Sequence, residues 1–574
     1  MKKKTRRIRL AGCLTVLTLV AAVGFAKACE PYRNQEIGFS EEERFWDSDL
    51  TLELSTFLKS EIYYTLDGSR PSRETARYER PIRLEAGEEC RGIPVRAIAY
   101  YEDGTQSDVY TRTYFLGKNV KHRFSTLVVA ITGDPEELFD YEKGILVTGK
   151  LRDDYVLEHP DEWISNRDPA NYNVRGDAGE RVVQAEMWEP DGTQILDEEL
   201  GIRVNGGLSR GLDVKSLRLI AREQYGGKRI RTELFPENQG EETGTAGRES
   251  TFSKRVVLRN HGNDQEYGYL RNELGAQLAA DAGFPCSARY RAASVWINGE
   301  YYGFEWLEDY FDRTYLNNLY QSRPDEGSWR MAEPFREDDQ ELTEEEQQAK
   351  QDLQEVMSYY HYDLTDDRLY EELDDRLDID NFLRYCAVEM FVANVDWPDN
   401  NCKAYRWYSD IGDYSGAETD GKWRFLLYDL DLSMGRIPET HYSTHPLALA
   451  LGGESVGWRQ EFPLLKELLK REDVRAQFAA ILEKYAEGAF STAHVETVLE
   501  QIEAEMDGEL SWQIRAVSEK EAVKEGETFE QEYQEKVEQH QQEIRVIREF
   551  WEQRPAVILE EIRKLPEYME QLED

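Results

Sequence analysis

The fold is decided by two stretches, Asn394-Val395-Asp396-Trp397-Pro398-Asp399-Asn400-Asn401 and Tyr428-Asp429-Leu430-Asp431-Leu432-Ser433-Met434-Gly435. The first follows an apolar helical run over 382–392, and its Asp, Asn and Pro residues predict that the helix ends there and a polar loop begins. The second continues an apolar strand pattern over 422–428. The sequence therefore sets an Asp/Asn-rich loop beside an Asp-x-Asp motif, and each follows a buried element.

The Asp-x-Asp motif predicts a cation site. Side chains alternate along a strand, so Asp429 and Asp431 are expected on the same face. Two carboxylates side by side at the end of an apolar strand are costly unless a cation or a shared proton holds them together. A hard metal ion such as Mg²⁺ prefers oxygen ligands and would also accept Asn401. The alternative is an acidic turn with two solvated carboxylates.

A glycine loop lies upstream, between strand patterns at 201–204 and 215–220. Its sequence is Asn205-Gly206-Gly207-Leu208-Ser209-Arg210-Gly211. In such a loop Gly206, Gly207 and Ser209 bring backbone N–H groups close to phosphate oxygens, and Arg203 and Lys215 add positive charge. The alternative is an ordinary turn between two strands.

Together these segments match the needs of phosphoryl transfer, in which catalysis is mostly positioning and neutralisation of charged oxygens. Arg203 and Lys215 would contact phosphates, and Asn401 with Asp429 would hold Mg²⁺. Asp396 would accept the proton of an attacking hydroxyl.

At these residues the sequence resembles the spore coat protein H (CotH) kinase family, over roughly residues 125–440. The resemblance implies an atypical kinase fold that uses ATP and Mg²⁺ or Mn²⁺ to phosphorylate Ser or Thr of a surface or coat protein. The motifs that carry it are Arg203 to Gly211 with Lys215-Ser216, Asn298-Gly299-Glu300-Tyr301-Tyr302-Gly303 with Glu308, Asp396 to Asn401, and Trp423-Arg424-Phe425 with Asp429-Leu430-Asp431 and Gly435.

The resemblance also assigns roles. It makes Asp396 the catalytic aspartate and Lys215 the phosphate lysine. Asn401 and Asp429 are then metal ligands, and the adjacent Asp431 supports the metal or the loop. Glu308 joins the nucleotide-binding residues, although the partner of Lys215 stays open between Glu308 and Glu273. The glycine loop has Val204-Asn205-Gly206 where the family commonly has Arg-Gly-Asn.

A second resemblance covers about 65 residues near the N-terminus. Alternating strand patterns and turns over 50–116 predict a small all-β domain. Tyr64-Thr65-Leu66-Asp67-Gly68-Ser69-Arg70-Pro71-Ser72 is similar to the C-terminal β-sandwich of chitobiases and β-hexosaminidases. The resemblance implies an accessory module without catalysis. Its tyrosines either stack on a cell-surface glycan or only pack the strands.

The N-terminus predicts export. A basic start over 2–7 is followed by an apolar segment over 8–26 and by small residues before Cys29. We therefore expect an extracytoplasmic protein, with the segment cleaved, lipidated or retained as an anchor, and no other membrane contact. With 70 basic and 114 acidic residues the net charge is −44, and no basic stripe suits nucleic acid.

The predicted fold class is α+β, with an atypical two-lobed kinase-like domain between a β-sandwich and acidic helices. The expected segments are an export signal (1–28), a linker (29–49), the sandwich (50–118), the kinase-like domain (119–440, with an acidic insertion at 323–376) and a helical region packed on it (441–574). Two alternatives to an active kinase are a catalytically silent surface or coat scaffold and a carbohydrate-associated adhesion protein.

Overall fold

The computed structural model describes residues 36–230, 232–235, 253–323, 325–335, 342–398, 400–452 and 461–573. The predicted export segment at 1–28 and Asp399 of the polar loop lie outside the described residues. Mixed helices and strands, with an all-β N-terminal region and a helical C-terminal region, confirm the α+β class.

The N-terminal module is a β-sandwich. A five-stranded sheet in the order β2-β9-β8-β5-β6 packs with the two-stranded pairs β1-β4 and β3-β7. Alternating apolar residues of these strands form one core. The strands are β1 (Ile37–Phe39), β2 (Phe45–Trp46), β3 (Leu50–Leu52), β4 (Leu54–Thr56), β5 (Ser60–Thr65), β6 (Ala76–Arg77), β7 (Ile82–Leu84), β8 (Arg91–Tyr101) and β9 (Tyr110–Leu116).

A closed seven-stranded barrel follows, in the order β10-β11-β12-β13-β14-β16-β15. The β10–β15 pair is parallel and the other pairs are antiparallel. Apolar residues at alternate positions fill the interior, and the opposite face of these strands carries both apolar residues that pack on the helical half, such as Phe304 and Trp306, and polar residues such as Arg259 and Glu308. The strands are β10 (Leu127–Gly133), β11 (Arg181–Trp188), β12 (Gln194–Val204), β13 (Leu217–Ile220), β14 (Arg255–Arg259), β15 (Tyr290–Ile297) and β16 (Glu300–Asp309).

The second half is mostly helical and carries a three-stranded sheet, β17 (Gly327–Ala332), β18 (Lys403–Ser409) and β19 (Arg424–Leu426). The α-helices of the described residues are α1 (Pro135–Phe139), α2 (Gly149–Glu158), α3 (Arg271–Asp281), α4 (Arg313–Tyr320), α5 (Glu344–Met357), α6 (Asp367–Asp374), α7 (Ile379–Val392), α8 (Pro446–Ala450), α9 (Pro463–Leu468), α10 (Glu472–Glu487), α11 (Thr492–Glu525) and α12 (Phe529–Glu573).

The sandwich packs on the barrel through a cluster of buried aromatic side chains. Phe115 of β9 lies among Phe45, Phe124, Trp188 and Trp296, with ring centroids 5.2–5.9 Å from its own. Such buried aromatic pairs add to the free energy gained from burial alone. The two units therefore form one continuous packed structure at this point.

A buried carboxyl lies beside that cluster. Glu186 of β11 accepts a hydrogen bond from the Thr113 backbone N–H at 2.9 Å, and Arg44 lies 3.9 Å away. Burial raises the pKa of Glu186 to about 7, although the charge of Arg44 opposes the rise. The carboxyl is therefore held in an environment that favours its neutral form.

The C-terminal helices belong to the main core. Apolar residues of α10, α11 and α12 share one buried cluster with α3, α7 and the three-stranded sheet. Arg554 of α12 is fully buried and donates to the backbone carbonyls of Met390, Phe391, Tyr442 and Thr444, at 2.6–3.0 Å. Met390 and Phe391 belong to the last turn of α7, where carbonyls lack helical partners. The end of α7, which leads to Asp396, is thus fixed by α12.

Three segments differ from the expected organisation. Strands β1 and β2 lie within the expected linker, because their apolar residues complete the sandwich. The acidic stretch at 323–376 contributes β17 to the second sheet and packs α5 on the main core. The strand expected over 422–428 ends at Leu426.

Among the described residues, none of the helices combines the length and apolarity needed to cross a membrane.

Replacing Arg554 by Met should lower the free energy of unfolding by at least roughly 3 kcal/mol, because four buried carbonyls lose a charged donor. Arg554→Lys should recover part of the loss, since the ammonium keeps three donors. Urea unfolding monitored by circular dichroism measures both. Arg548→Met, at a half-exposed ion-paired site on the same helix, should cost less than about 1 kcal/mol. Equal losses for the 548 and 554 variants would contradict the anchoring role.

Replacing Glu186 by Gln should change how stability depends on pH. The ordinary pKa of 4.5 rises to about 7 in the fold, so the wild type loses stability as the pH rises between these values. The neutral Gln lacks this loss, and the variant should gain up to roughly 3 kcal/mol on the wild type between pH 4.5 and 8. Urea titrations across that range test this, with the exposed Glu199→Gln as control. Parallel curves for wild type and Glu186→Gln would contradict it.

Candidate functional site

The two aspartates of the Asp-x-Asp motif meet at one arginine. Arg259, at the end of β14, donates from the same Nη2 to Asp429 Oδ1 and to Asp431 Oδ2, both at 2.8 Å. The sequence predicted that alternation along a strand would place both aspartates on one face, and the structure does not bring them together in that way. The strand has already ended, and Asp429 has the left-handed φ of 62°. A shared arginine, rather than a pleated strand, brings the two carboxylates together.

The two aspartates differ in exposure. The Asp431 side chain is fully buried, whereas 39% of the Asp429 side chain is exposed. Asp431 also accepts from the backbone N–H of Asn263 at 2.8 Å and from its amide at 3.3 Å. A side chain at Gly262 would meet this carboxylate, because a Cβ there would lie 1.8 Å from Oδ2. Asp431 is therefore enclosed by protein donors, and Asp429 is partly exposed to solvent.

Asp396 lies on the polar loop that follows α7. Ala393 ends the helix with a left-handed φ of 56°. The Asn394 side chain then accepts from the Asp396 backbone N–H at 3.0 Å and donates to Glu389 at 2.9 Å. Asn401 returns to the same place, with its amide nitrogen 3.5 Å from Asp396 Oδ2. The predicted catalytic aspartate and one predicted metal ligand are thus neighbours.

The charges of these carboxylates act on one another. Burial raises the pKa of Asp396 to about 6, Asp431 adds to the rise, and Arg167 opposes it. Burial, followed by Asp431, raises the pKa of Asp429 to about 7, against the charge of Arg259 and with a further contribution from Asp396. Asp396, Asp429 and Asp431 therefore lie within electrostatic reach of each other.

This donor set fits a divalent cation. Asp396, Asn401 and Asp429 offer hard oxygen atoms, which Mg²⁺ and Mn²⁺ prefer. Burial is the first cause of the raised pKa of Asp429, and the negative charges of Asp431 and Asp396 add to it, so a cation beside Asp429 would relieve that repulsion. Asp429 and Asn401 could hold the ion directly, whereas the enclosed Asp431 would act by holding Arg259 and the shape of the loop.

Behind Arg259 lies a second pair of acids. Glu308 of β16 is buried and accepts from the Asn272 amide at 2.9 Å, and it acts on the pKa of Glu273 of α3. Burial, followed by the charge of Glu308, raises the pKa of Glu273 well above its ordinary value. Asn272 also accepts from the backbone N–H of Leu430 at 3.1 Å. These contacts connect the barrel and α3 to the Asp-x-Asp segment.

Arg210 fixes the backbone of the glycine loop. Its guanidinium donates to the carbonyls of Val204, Gly206 and Tyr172, at 2.6–2.8 Å. Gly206 has φ 98°, which a glycine adopts without strain. Gly206, Gly207 and Ser209 are partly exposed, as a phosphate-contacting loop requires.

Lys215 pairs with neither candidate acid. Its Nζ donates to the Leu212 carbonyl at 2.6 Å and lies 4.8 Å from the centre of the Tyr172 ring. Burial lowers the pKa of Lys215 to about 8, although Asp213 opposes this. Arg259, rather than Lys215, is the cation whose charge acts on Glu308 and Glu273.

Arg203 lies in an ion-pair network outside the barrel. It contacts Asp177 at 2.6 Å and Glu180 at 2.7 Å, and Arg222 contacts the same two acids. The structure therefore does not bring Arg203 to the Asp396–Asp429 cluster. Its predicted phosphate contact would require it to leave these partners.

Several residues of the site carry little sequence signal. Arg259 ends an ordinary strand pattern, and Asn263 and Asn272 belong to no motif on which the prediction was based; Arg210 lies in the glycine loop, but no role was predicted for it. A charge argument would have pointed to Arg259, because two buried carboxylates need a buried cation. Arg167 lies in a segment where the sequence predicted no function.

Comparison with known family models identifies the two folded regions of the chain. The model described as CotH kinase protein matches residues 202–558, which includes the glycine loop, the polar loop, the Asp-x-Asp motif and most of the C-terminal helices. A model described as Fn3 associated matches residues 50–114, the sandwich that resembles the chitobiase module. A search of curated proteins finds no match. The chain belongs to the CotH kinase protein family, with a kinase-like domain behind an N-terminal β-sandwich.

Proposed function

We propose that this protein is an exported atypical kinase that transfers the γ-phosphate of ATP to Ser or Thr of a surface or coat protein, with the aid of Mg²⁺ or Mn²⁺. The observation that carries the proposal is that Asp396 lies beside Asn401, 3.5 Å away, and within electrostatic reach of Asp429, which Arg259 holds in place. A purely structural acidic cluster would be paired more completely with basic side chains.

In this proposal the hydroxyl oxygen of the acceptor forms a bond to the γ-phosphorus of ATP. The bond from that phosphorus to the β–γ bridging oxygen breaks, and its electron pair leaves with ADP. Asp396 accepts the hydroxyl proton, which its pKa of about 6 permits near neutral pH. A divalent cation held by Asn401 and Asp429 would neutralise phosphate oxygens when bound. Gly206, Gly207 and Ser209 would position the phosphates through backbone N–H groups.

Burial gives Arg259 a supporting role. Only 12% of its side chain is exposed, and Asp429 and Asp431 both accept from it. Arg259 therefore fixes the orientation of the Asp429 carboxylate. Through Glu308, Glu273 and Asn272, the barrel and α3 are fixed to the same group.

The sandwich and the export segment support an extracytoplasmic location in this proposal. The sandwich is an accessory module fixed rigidly to the kinase-like domain. It would place the catalytic domain at a surface, and a glycan could be its ligand there. The N-terminal segment would supply the membrane contact.

A catalytically silent scaffold is the second candidate. The position of Lys215, whose ammonium contacts a backbone carbonyl and no carboxylate, favours it. The ion pairs of Arg203 with Asp177 and Glu180 favour it as well. Both observations concern residues beside the glycine loop. The predicted catalytic and metal-binding residues Asp396, Asn401 and Asp429 are all present.

Asp396→Asn should lower the rate of phosphate transfer by about 10²–10⁴-fold, because the amide cannot accept the hydroxyl proton. The affinity for Mg²⁺-ATP should stay near the wild-type value. Transfer of ³²P from labelled ATP, together with calorimetric ATP binding, measures both. Asp375→Asn, at an exposed aspartate of the same half, is the matched control. Transfer by Asp396→Asn at the wild-type rate would contradict the role of Asp396, and a wild type that binds Mg²⁺-ATP without transfer would favour the scaffold.

Asp429→Asn and Asp431→Asn should separate the two aspartates. The 429 variant should lose affinity for Mg²⁺-ATP by about 10-fold or more, since even indirect metal partners contribute that much. Its thermal midpoint should hold or rise, because repulsion from Asp431 is relieved. The 431 variant should be destabilised by about 3–5 kcal/mol, since Arg259 loses a fully buried partner. Thermal-shift titrations with Mg²⁺-ATP report both quantities, and the reverse pattern would contradict the assignment.

A further inference from the structure

A cavity of about 720 Å³ lies where the sandwich meets the barrel. The sandwich lines it with the turn after β5 and the start of β8, and the barrel lines it with the β15–β16 hairpin and helix α1. Small-molecule sites usually have volumes of roughly 300–1,000 Å³ and are often found between domains. The cavity therefore has the size and the position of a ligand site.

Two motifs that stand out in the sequence form walls of this cavity. Leu66 and Asp67 belong to the 64–72 segment of the sandwich, and Asn298 and Glu300 belong to the 298–303 segment of the barrel. None of these four residues belongs to the cluster of Asp396, Asn401 and Asp429. The two motifs therefore meet at a second place in the molecule, which the proposed phosphate transfer does not use.

Close backbone contacts fix the walls of the cavity. The Gly92 N–H donates to the Gly299 carbonyl at 2.9 Å, and a Cβ at Gly299 would lie 2.2 Å from the Gly92 oxygen. A Cβ at Gly68 would lie 2.4 Å from Asn298 Cγ. Asn298 Oδ1 in turn accepts from the Gly133 N–H at 2.9 Å. The hairpin and the turn approach this closely only because glycines lie between them, so the cavity is preformed.

Much of the lining is apolar. The side chains of Leu66 and Phe139 remain 38% and 43% exposed at the cavity, beside the buried Ile93 and Ile297. Apolar surface that is left in contact with water gains free energy when a ligand covers it. The negative face of an aromatic ring also attracts the C–H groups of a flat ligand. Phe139 is therefore suited to pack against a ring that has an apolar face.

Charged side chains of both signs lie at the same cavity. Asp67, Arg91 and Glu300 line it and are exposed. Asp67 Oδ1 accepts from the Ser69 N–H at 3.0 Å and from the Ser69 hydroxyl at 2.6 Å, which orients the carboxylate. Arg91 donates from Nη2 to the Glu85 carbonyl at 2.7 Å, which orients the guanidinium. The cavity thus offers hydrogen-bond acceptors and donors beside an apolar surface.

This combination distinguishes between classes of ligand. An acyl chain would cover the charged groups of Asp67, Arg91 and Glu300 without giving them hydrogen bonds. Asp67 and Glu300 would repel an anion, and Arg91 would repel a cation. Uncharged hydroxyl groups donate to carboxylates and accept from a guanidinium. A sugar ring carries such hydroxyl groups around an apolar C–H face, so a neutral saccharide suits both parts of the lining.

We propose that this cavity binds a neutral saccharide, with Phe139 packed on a sugar ring and with Asp67, Arg91 and Glu300 bonded to its hydroxyl groups. The inference rests on the surface-placing role that the proposed function gives the sandwich, and not on phosphate transfer. Because residues of the sandwich and of the barrel line the cavity, the site exists only where the two are packed together.

Calorimetric titration of the full chain with trisaccharides of glucose, galactose, mannose or N-acetylglucosamine tests the site. At least one of these should bind, and a trisaccharide of galacturonic acid should bind more weakly, because Asp67 and Glu300 repel its carboxylates. Asp67→Asn and Glu300→Gln should each weaken the binding of the neutral sugar by about 10-fold, the usual effect of losing a hydrogen bond to a charged group. Phe139→Ala should weaken it by a similar factor. Phe57→Ala is the matched control, at a sandwich phenylalanine that is 80% exposed and does not line the cavity.

A wild type that binds none of the four neutral trisaccharides overturns the inference. A sugar that binds the Phe139 and Glu300 variants as tightly as the wild type overturns it too, because its site then lies elsewhere. Palmitate that binds and displaces the sugar in a competition titration would show a site for apolar chains, with the same consequence.

Assays of ³²P transfer on the same preparations separate this inference from the kinase activity. Transfer without sugar binding overturns the saccharide site while the kinase activity stands. Sugar binding that depends on Phe139 and Glu300, without transfer, supports the saccharide site and counts against the kinase activity.

Discussion

The site depends on the ion pairs that Arg259 makes with Asp429 and Asp431. One nitrogen of a barrel arginine joins two carboxylates from the helical half, and one of those carboxylates is fully buried. Such a charge can be buried only because its partners are fixed in place. The two acids differ in their surroundings, because Asp431 is enclosed by protein donors and Asp429 is partly exposed. Asp429 and Asp396 thus place negative charge where, in the proposed function, a cation and phosphates would meet.

Elements far apart in the chain converge to hold this arrangement. Arg554 of the last helix holds the end of α7 before Asp396, and Arg271 at the start of α3 joins Asp264 to Glu543 of that same helix at 2.7 Å. The C-terminal helices are therefore part of the kinase-like domain, as the family match to residue 558 also shows. On the other side, aromatic packing fixes the sandwich to the barrel. The same packed core therefore stabilises the fold and holds the candidate site residues in position.

The sequence was most informative where local patterns are strong. The helix leading to Asp396 was predicted within a few residues, because helical periodicity is a local property. The sequence was less informative where contacts between residues far apart in the chain determine the local structure. The strand before Asp429 ends early, since that residue turns left-handed to reach Arg259, which lies 170 positions away in the chain. Lys215 was expected beside an acid, but it lies over a tyrosine from a segment without a motif.

The most direct measurement is the transfer of ³²P from γ-labelled ATP to a Ser/Thr-rich protein, or to the chain itself, with Mg²⁺ or Mn²⁺ and with the metal chelated. The account predicts incorporation of acid-stable phosphate on Ser or Thr that requires the metal and disappears in Asp396→Asn. Equal incorporation in that variant, or incorporation that chelation leaves unchanged, would contradict the central claim. That claim is that Asp396, Asn401 and Asp429 form a metal-dependent phosphoryl-transfer site.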